Sequence, residues 1–177
     1  MIFSNDPAAE IARVFTNPDG LLPDKRRPLL FLLRRDLQNQ YGKEDAPPGQ
    51  LLSPLLTGLG IMVGFEVLTK LWSGDHKAGT PEIEAFLREV GQLSESHAIA
   101  LAQFRHALAH GYRLQTVRKK DQETYSFKAS DDVSGRAVVC DLAAFEFEIN
   151  LWRLKDLFIS AISRYHDLLQ KSSDLQA

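Results

Sequence analysis

The chain has a single cysteine, Cys140, so an intrachain disulfide cannot stabilise it. Residues 1–6 lack both the basic region and the long apolar stretch of a secretory signal, and we expect a cytoplasmic protein. Lysine and arginine number 21 against 23 aspartate and glutamate, which gives a formal net charge of −2. That balance excludes the overall positive field that draws proteins to nucleic acid without regard to sequence. Any contact with RNA or DNA must therefore be local.

The sequence also lacks the short motifs of several enzyme classes. It contains neither a phosphate-binding glycine loop nor a Gly-x-Ser-x-Gly nucleophile motif, and nothing in it indicates a cofactor. Residues 51–72 form a long apolar stretch, but Pro54 stands near its start and Glu66 and Lys70 lie one helical turn apart within it. A buried core helix explains this pattern better than a membrane span, and we expect no membrane contact.

Helical patterns cover most of the chain. Capping residues, first-turn prolines and terminal glycines mark where each helix begins and ends. The predicted helical segments are residues 5–17, 29–41, 53–72, 80–91, 94–110 and 141–170, followed by a polar tail at residues 171–177. Gly58, Gly60 and Gly64 lie inside the third segment. Glycine within a helix costs roughly 1 kcal/mol relative to alanine, so these three predict the close approach of another backbone.

Three short runs with β-strand character interrupt the helical pattern. They occupy residues 113–117, 124–127 and 136–140, and polar turns separate them. We predict a small antiparallel β-meander at about residues 113–140, inserted before the last helix. Basic residues of this region lie near Tyr125 and Phe127 in sequence. That mixture is compatible with a surface that stacks single-stranded RNA, or more ordinarily with a solvated hairpin.

These elements together predict one mainly α domain over residues 1–177. Helices with one apolar face must bury it against one another, which favours a bundle. We expect the glycine-rich and alanine-rich helices to form the interface of a homodimer.

The segment that says most about function is residues 104–112. It places Arg105, His106 and His110 on the last turns of a predicted helix. Cleavage of a phosphodiester through its own 2′-hydroxyl needs a base, an acid and a cation beside the phosphorus. Arginine supplies the cation, and histidine exchanges protons near neutral pH, so the three side chains can do this chemistry without a metal.

Helical geometry places these groups on the side opposite the bulky residues. At 100° per residue, His106 lies about 100° and His110 about 140° from Arg105 around the helix axis. The alanines at positions 98, 102 and 109 lie within about 60° of Arg105. Small residues beside a long cation would let a second helix or a second subunit approach and form a cleft.

Two other interpretations of these residues remain open. On residue types alone, the more ordinary explanation is structural, with Arg105 paired to an acidic neighbour and His110 favoured by the dipole at a helix end. A metal site formed by His106 and His110 is the other alternative, but no third ligand lies near them in sequence and there is no His-Glu-x-x-His arrangement.

Residues 105–110 read Arg-His-Ala-Leu-Ala-His and match the R-x4-H motif of HEPN domains, in which Asn, Asp or His commonly follows the arginine. With Tyr112 the segment resembles the R-x4-H-x-Y form of HEPN toxins whose tyrosine is AMPylated by a partner nucleotidyltransferase antitoxin. The resemblance extends over roughly residues 25–112 and the last helix. The β-meander is a departure from compact HEPN toxins.

HEPN proteins are helical bundles that usually dimerise so that both motifs line one cleft, and many are metal-independent ribonucleases used as toxins or defence effectors. The resemblance implies that Arg105 binds phosphate, that His110 is the main acid or base with His106 assisting it, and that Tyr112 is a modification site. It implies RNA and a nucleotidyltransferase-type antitoxin as partners. Because some HEPN domains are not nucleases, a non-catalytic HEPN-like module that dimerises or binds a nucleotide or a partner protein is the alternative.

Overall fold

The computed structural model describes residues 54–111, 113–118, 120, 122–130, 135–141 and 143–174, apart from the side chains of residues 172–174. The helices predicted at residues 5–17 and 29–41 lie outside this range, as does Tyr112. The described elements follow one another as α1 (Pro54–Ser73), α2 (Thr80–Glu89), α3 (Glu95–Gly111), β1 (Gln115–Val117), β2 (Thr124–Ser130), β3 (Val138–Asp141), β4 (Glu146–Asn150) and α4 (Leu151–Asp174). A helix-rich fold with a small sheet before the last helix is thereby confirmed.

Local signals set the ends of α2. Pro81 stands in its first turn, where the missing N–H leaves no intrahelical bond unmade. The Gly79 N–H donates to Oε2 of Glu82 at 2.7 Å, which satisfies one donor at the helix start. At the other end, Arg164 of α4 donates to the carbonyl oxygen of Gly91 at 2.9 Å. That contact joins α4 to the carboxyl end of α2, where a cation also complements the helix dipole.

The β region differs from the predicted antiparallel meander. Its strands form a 4-stranded sheet in the order β1-β2-β4-β3, and β2 pairs with β4 in parallel, as the register Ser126↔Glu146 shows. The neighbouring pairs, β1 with β2 and β3 with β4, are antiparallel. The prediction was wrong because a fourth strand beyond Cys140 was not recognised, and that strand enters the sheet between β2 and β3.

The start of the last helix was also misplaced. Asp141 caps a turn, since its Oδ1 accepts from the N–H of Ala143 at 3.0 Å, but the chain then enters β4. The last helix begins at Leu151 instead, where Asn150 Oδ1 accepts from the N–H of Arg153 at 3.1 Å. An Asp or Asn side chain caps a turn or a helix with the same local hydrogen bond, so the residue type alone does not distinguish them.

One hydrophobic core joins α1, α3, α4 and the inner face of the sheet. Phe65 of α1 meets Phe158 of α4 edge to face, with ring centroids 5.1 Å apart. On the sheet side, Phe104 of α3 packs against Phe127 of β2 at 5.4 Å. The core thereby holds α1 and α3 side by side, which is the contact that forms the candidate site.

The glycines of α1 accommodate side chains of the same chain, not the backbone predicted from the sequence. A Cβ on Gly64 would lie 2.5 Å from Cζ of Phe158, and one on Gly58 would lie 3.2 Å from Leu151. Gly60 has nothing within 4 Å among the described contacts. Two of the three glycines therefore serve packing between α1 and the rest of this chain, and the expected dimer gains no support from them.

The α1 helix is long and apolar enough to cross a membrane when judged by length and composition alone. The core helix of a soluble protein passes the same test. In α1 the side chains of Ile61, Phe65 and Leu68 are fully buried in the core, which is the role that the sequence predicted for this segment.

Candidate functional site

Arg105 lies at the contact between α3 and α1, paired with Glu66. Its Nη2 donates to Oε2 of the Glu66 carboxylate, 39 positions earlier in the chain. The Arg105 side chain is 18% exposed and that of Glu66 is 17% exposed, so the pair is largely but not fully removed from solvent. Nε of Arg105 is buried and has no hydrogen-bond partner among the described residues. The guanidinium is thus held in place with part of its donor capacity unused.

Glu66 is shared between two cations. While its Oε2 accepts from Arg105, its Oε1 accepts from Nζ of Lys70 at 2.6 Å. Burial alone raises the pKa of the Glu66 carboxyl, but the hydrogen bonds from Lys70 and Arg105 and their charges outweigh burial and lower that pKa. Glu66 therefore remains ionised near neutral pH, and the three side chains together carry a net positive charge.

His106 and His110 form a pair of imidazoles one turn apart on α3. Their ring centroids are 4.5 Å apart and the rings are tilted by 50°. His106 is half-buried and His110 is exposed near the helix end, while Ala107 and Leu108 between them face the core. The structure thus brings the two histidines together as predicted and leaves one of them in contact with solvent. His110 lies about 7.5 Å along the helix axis from Arg105.

The alanines beside Arg105 do not line an open cleft. Ala98 and Ala102 are fully buried, and only Ala109 of the three is exposed. α2 and α3 pack along each other, and Ala98 and Ala102 lie within the hydrophobic core of this chain. Among Arg105, the two histidines and the three alanines, the exposed residues are Ala109 and His110 at the carboxyl end of α3.

A further cation lies at the end of α3. The Arg113 N–H donates to the carbonyl oxygen of Ala107 at 3.2 Å, which folds the chain back over the last turn. The Arg113 side chain then lies against Gly111, where a Cβ would be 3.0 Å from its Cγ. Tyr112, the predicted modification site, lies between these two residues but outside the described part of the chain.

The structure gives no metal centre around the two histidines. Within the described residues, no group of three or more His, Cys, Asp and Glu side chains is placed to hold a metal ion. The His106 and His110 pair therefore has no third ligand there, and zinc sites in proteins need at least three protein ligands.

The aromatic residues of the sheet are not placed to stack RNA. Tyr125 is 4% exposed and Phe127 is 6% exposed, and both point into the core. Tyr125 stacks instead on Phe147 of β4, with centroids 5.4 Å apart. On the other face Lys128 stands beside Glu148 in the register of β2 and β4. The RNA-stacking interpretation of this region was therefore wrong, because the aromatic side chains alternate onto the buried face.

Sequence reasoning did not include Glu66 and Lys70 in the site. The available signal was that both are charged residues inside an otherwise apolar helix, one turn apart. In the sequence alone, that signal argues only against a membrane span. Their partner Arg105 lies on another helix, and the spacing between the two helices in sequence carries no information about which faces meet.

Comparisons of this chain with protein-family models, with curated proteins and with solved structures found no match.

Proposed function

We propose that the chain is a HEPN-like, metal-independent ribonuclease that cuts RNA at a cleft between two copies, and that it acts as a toxin-like defence effector in the cytoplasm. The observation that carries the proposal is that Arg105 is held by Glu66 on the same helix that presents the His106 and His110 pair within the next one and a half turns. A fixed guanidinium on the same helix as a half-buried and an exposed imidazole supports the proposal, because phosphodiester cleavage uses a cation together with proton-exchanging groups.

The proposed reaction uses the 2′-hydroxyl of the RNA as nucleophile. His110 accepts the proton of that hydroxyl as its oxygen bonds to phosphorus. The bond from phosphorus to the 5′ oxygen breaks, and an imidazolium donates a proton to that oxygen. Arg105 stabilises the negative charge that builds up on the phosphoryl oxygens. A second copy of the motif supplies the second imidazole in the dimer, and His106 supports the ring of His110.

The proposal extends to regulation through Tyr112. By resemblance to the R-x4-H-x-Y toxins, a nucleotidyltransferase-type antitoxin would attach AMP to the Tyr112 hydroxyl, two residues after His110. A phosphate placed there would compete for the same cations as the RNA phosphate. The AMPylation of Tyr112 is tested separately, by measuring the intact mass of the protein after coexpression with a nucleotidyltransferase encoded next to its gene.

Cleavage of RNA in the presence of a chelator is the direct test. Wild-type protein should cut a mixed-sequence RNA with EDTA present, and Arg105→Ala and His110→Ala should each abolish cleavage. Arg88→Ala is the matched control, because Arg88 is an exposed arginine on α2. All variants must first show wild-type circular dichroism and elution volume. Loss of activity in Arg88→Ala, or full activity in His110→Ala, would reject the proposed roles.

A second candidate function rests on the Arg105 and Glu66 ion pair itself. The pair gives Arg105 a structural role in joining α3 to α1, as one of the alternative interpretations of the sequence expected. In a non-catalytic module that dimerises or binds a nucleotide or a partner protein, this ion pair would be the whole role of Arg105. Wild-type protein that is folded and dimeric, binds RNA or a nucleotide and cleaves no RNA would favour this module.

A further inference from the structure

We infer that Lys70 is a positioning residue of the Arg105 site, which keeps the guanidinium open to a phosphate by holding one oxygen of Glu66 away from it. The inference rests on the proposed function as far as RNA is the source of that phosphate. Lys70 lies on α1 and is itself partly exposed, with 36% of its side chain accessible.

The hydrogen-bond pattern around Glu66 carries the argument. A carboxylate and an arginine frequently form two parallel hydrogen bonds, one from each of two guanidinium nitrogens. Here Glu66 gives Arg105 only Oε2, because Oε1 accepts from Lys70 at 2.6 Å. The Nε of Arg105 is left buried without a partner among the described residues, although it is the donor that a second carboxylate oxygen would satisfy. Lys70 thus competes with Nε for the same oxygen.

The competition between Lys70 and Nε for Glu66 affects how much positive charge Arg105 presents to an anion. With Lys70 present, one carboxylate is divided between two cations, and Arg105 keeps most of its positive charge available for an incoming anion. Without Lys70, the freed oxygen of Glu66 would turn to Nε, because a buried unpartnered donor is unfavourable. The closed two-bond pair would then neutralise Arg105 and occupy two of its five N–H groups.

Two measurements on the full-length protein test the inference. The first follows the Arg105 Nε–H signal by NMR, assigned with Arg105→Lys. In Lys70→Met that signal should move downfield and exchange more slowly with water as the hydrogen bond to Glu66 forms. The matched control is Lys128→Met, an exposed lysine on β2, which should leave the signal unchanged. An unchanged Arg105 signal in Lys70→Met would overturn the inference.

The second measurement uses a 2′-O-methyl RNA oligonucleotide, which cannot be cleaved through its own 2′ oxygen. Its affinity should fall on the order of tenfold in Lys70→Met, the factor expected for one weakened charge-assisted contact. Adding Lys70→Met to Glu66→Gln should cost little more than Glu66→Gln alone, because Lys70 acts through the carboxylate. Fully additive losses would instead show that Lys70 contacts phosphate directly and would overturn the inference.

The two arms separate this inference from the proposed function. If wild-type protein binds no oligonucleotide, the ribonuclease proposal fails, while the Arg105 Nε–H signal still decides whether Lys70 controls the Glu66 contact. If wild-type protein binds and Lys70→Met binds equally well, the ribonuclease proposal stands and the role of Lys70 is rejected.

Discussion

Glu66 of α1 and Arg105 of α3, 39 positions apart in sequence, form an ion pair that joins the two helices where both side chains are more than four-fifths buried. The pair orients Arg105 whether or not the protein cleaves RNA. Its energetic role can therefore be measured independently of any activity.

Glu66→Gln should lower the free energy of unfolding by about 1 to 3 kcal/mol, because the largely buried Arg105 and the partly exposed Lys70 both lose the carboxylate between them. Urea denaturation followed by circular dichroism measures the change. Glu89→Gln is the control, since Glu89 is exposed at the end of α2 and should change stability by less than about 0.5 kcal/mol. Equal stability of Glu66→Gln and wild type would show that Lys70 and Arg105 do not depend on this carboxylate.

The contribution of Glu66 should depend on pH with a definite sign. The pKa of Glu66 is lowered in the folded protein from 4.5, so the unfolded chain binds the proton more tightly. Its contribution is then complete above the unfolded pKa and is lost as the pH falls through the folded pKa. The difference in unfolding free energy between wild type and Glu66→Gln should be constant from pH 7 down to about 5.5 and shrink below about 4.5. A difference that grows on acidification would contradict the direction of the shift.

Gly64→Ala should destabilise the fold by about 1 to 3 kcal/mol, because the added Cβ would overlap the ring of Phe158. The control lies one turn away on the same helix. Gly60 has nothing described within 4 Å, and Gly60→Ala should stabilise by up to about 1 kcal/mol through helix propensity. Thermal unfolding of both variants measures the difference. Phe158→Leu combined with Gly64→Ala should recover part of the loss, and the overlap explanation fails if the two changes are simply additive.

Asn150→Ala should lower the free energy of unfolding by about 1 kcal/mol, the usual effect of removing a helix cap. The N–H of Arg153 would lose its acceptor, the Oδ1 of Asn150. Asn150→Asp retains an acceptor at the same place and should stay closer to wild type. If Asn150→Ala were as stable as wild type, α4 would not depend on this cap.

His110→Ala should reduce RNA cleavage more than His106→Ala. His110 is the more exposed of the two rings, and the proposed reaction assigns the proton exchange with RNA to it, whereas His106 is half-buried against it. Loss of a general acid or base typically lowers the rate about 10² to 10⁴-fold. Single-turnover cleavage by equally folded variants decides the order, and a larger defect in His106→Ala would exchange the two roles.

The ends of several helices could be predicted from residues close to them in sequence. Pro81 and Glu82 at the start of α2 and the glycine at the end of α3 act on the backbone of near neighbours, so their effect does not depend on distant residues. The cap itself differs from the sequence pattern, because Gly79 and not Thr80 occupies the position before the helix. The spacing of Arg105, His106 and His110 likewise defined which groups a helix would present together. The pair of imidazoles in contact follows from that spacing alone.

The short strand at Glu146–Asn150 was less readable. Phe147 and Ile149 alternate onto the buried face as in a strand, but together with Leu151 and Leu154 they also fit a helical pattern. Over five residues, the two-residue period of a strand and the 3.6-residue period of a helix place the apolar side chains at similar positions. The strand that pairs with β4 in parallel, β2, lies elsewhere in the sequence and gives no local signal.

The sequence by itself determined the helical segments around the motif and the chemistry of the side chains that the motif groups on one helix. Only the tertiary structure decided that Glu66 and Lys70 belong with Arg105, and that Gly58, Gly64, Ala98 and Ala102 serve packing inside one chain. The physical reason is that backbone capping and helical spacing act between near neighbours. The contact between α1 and α3 depends instead on how the whole core packs, which no local pattern encodes.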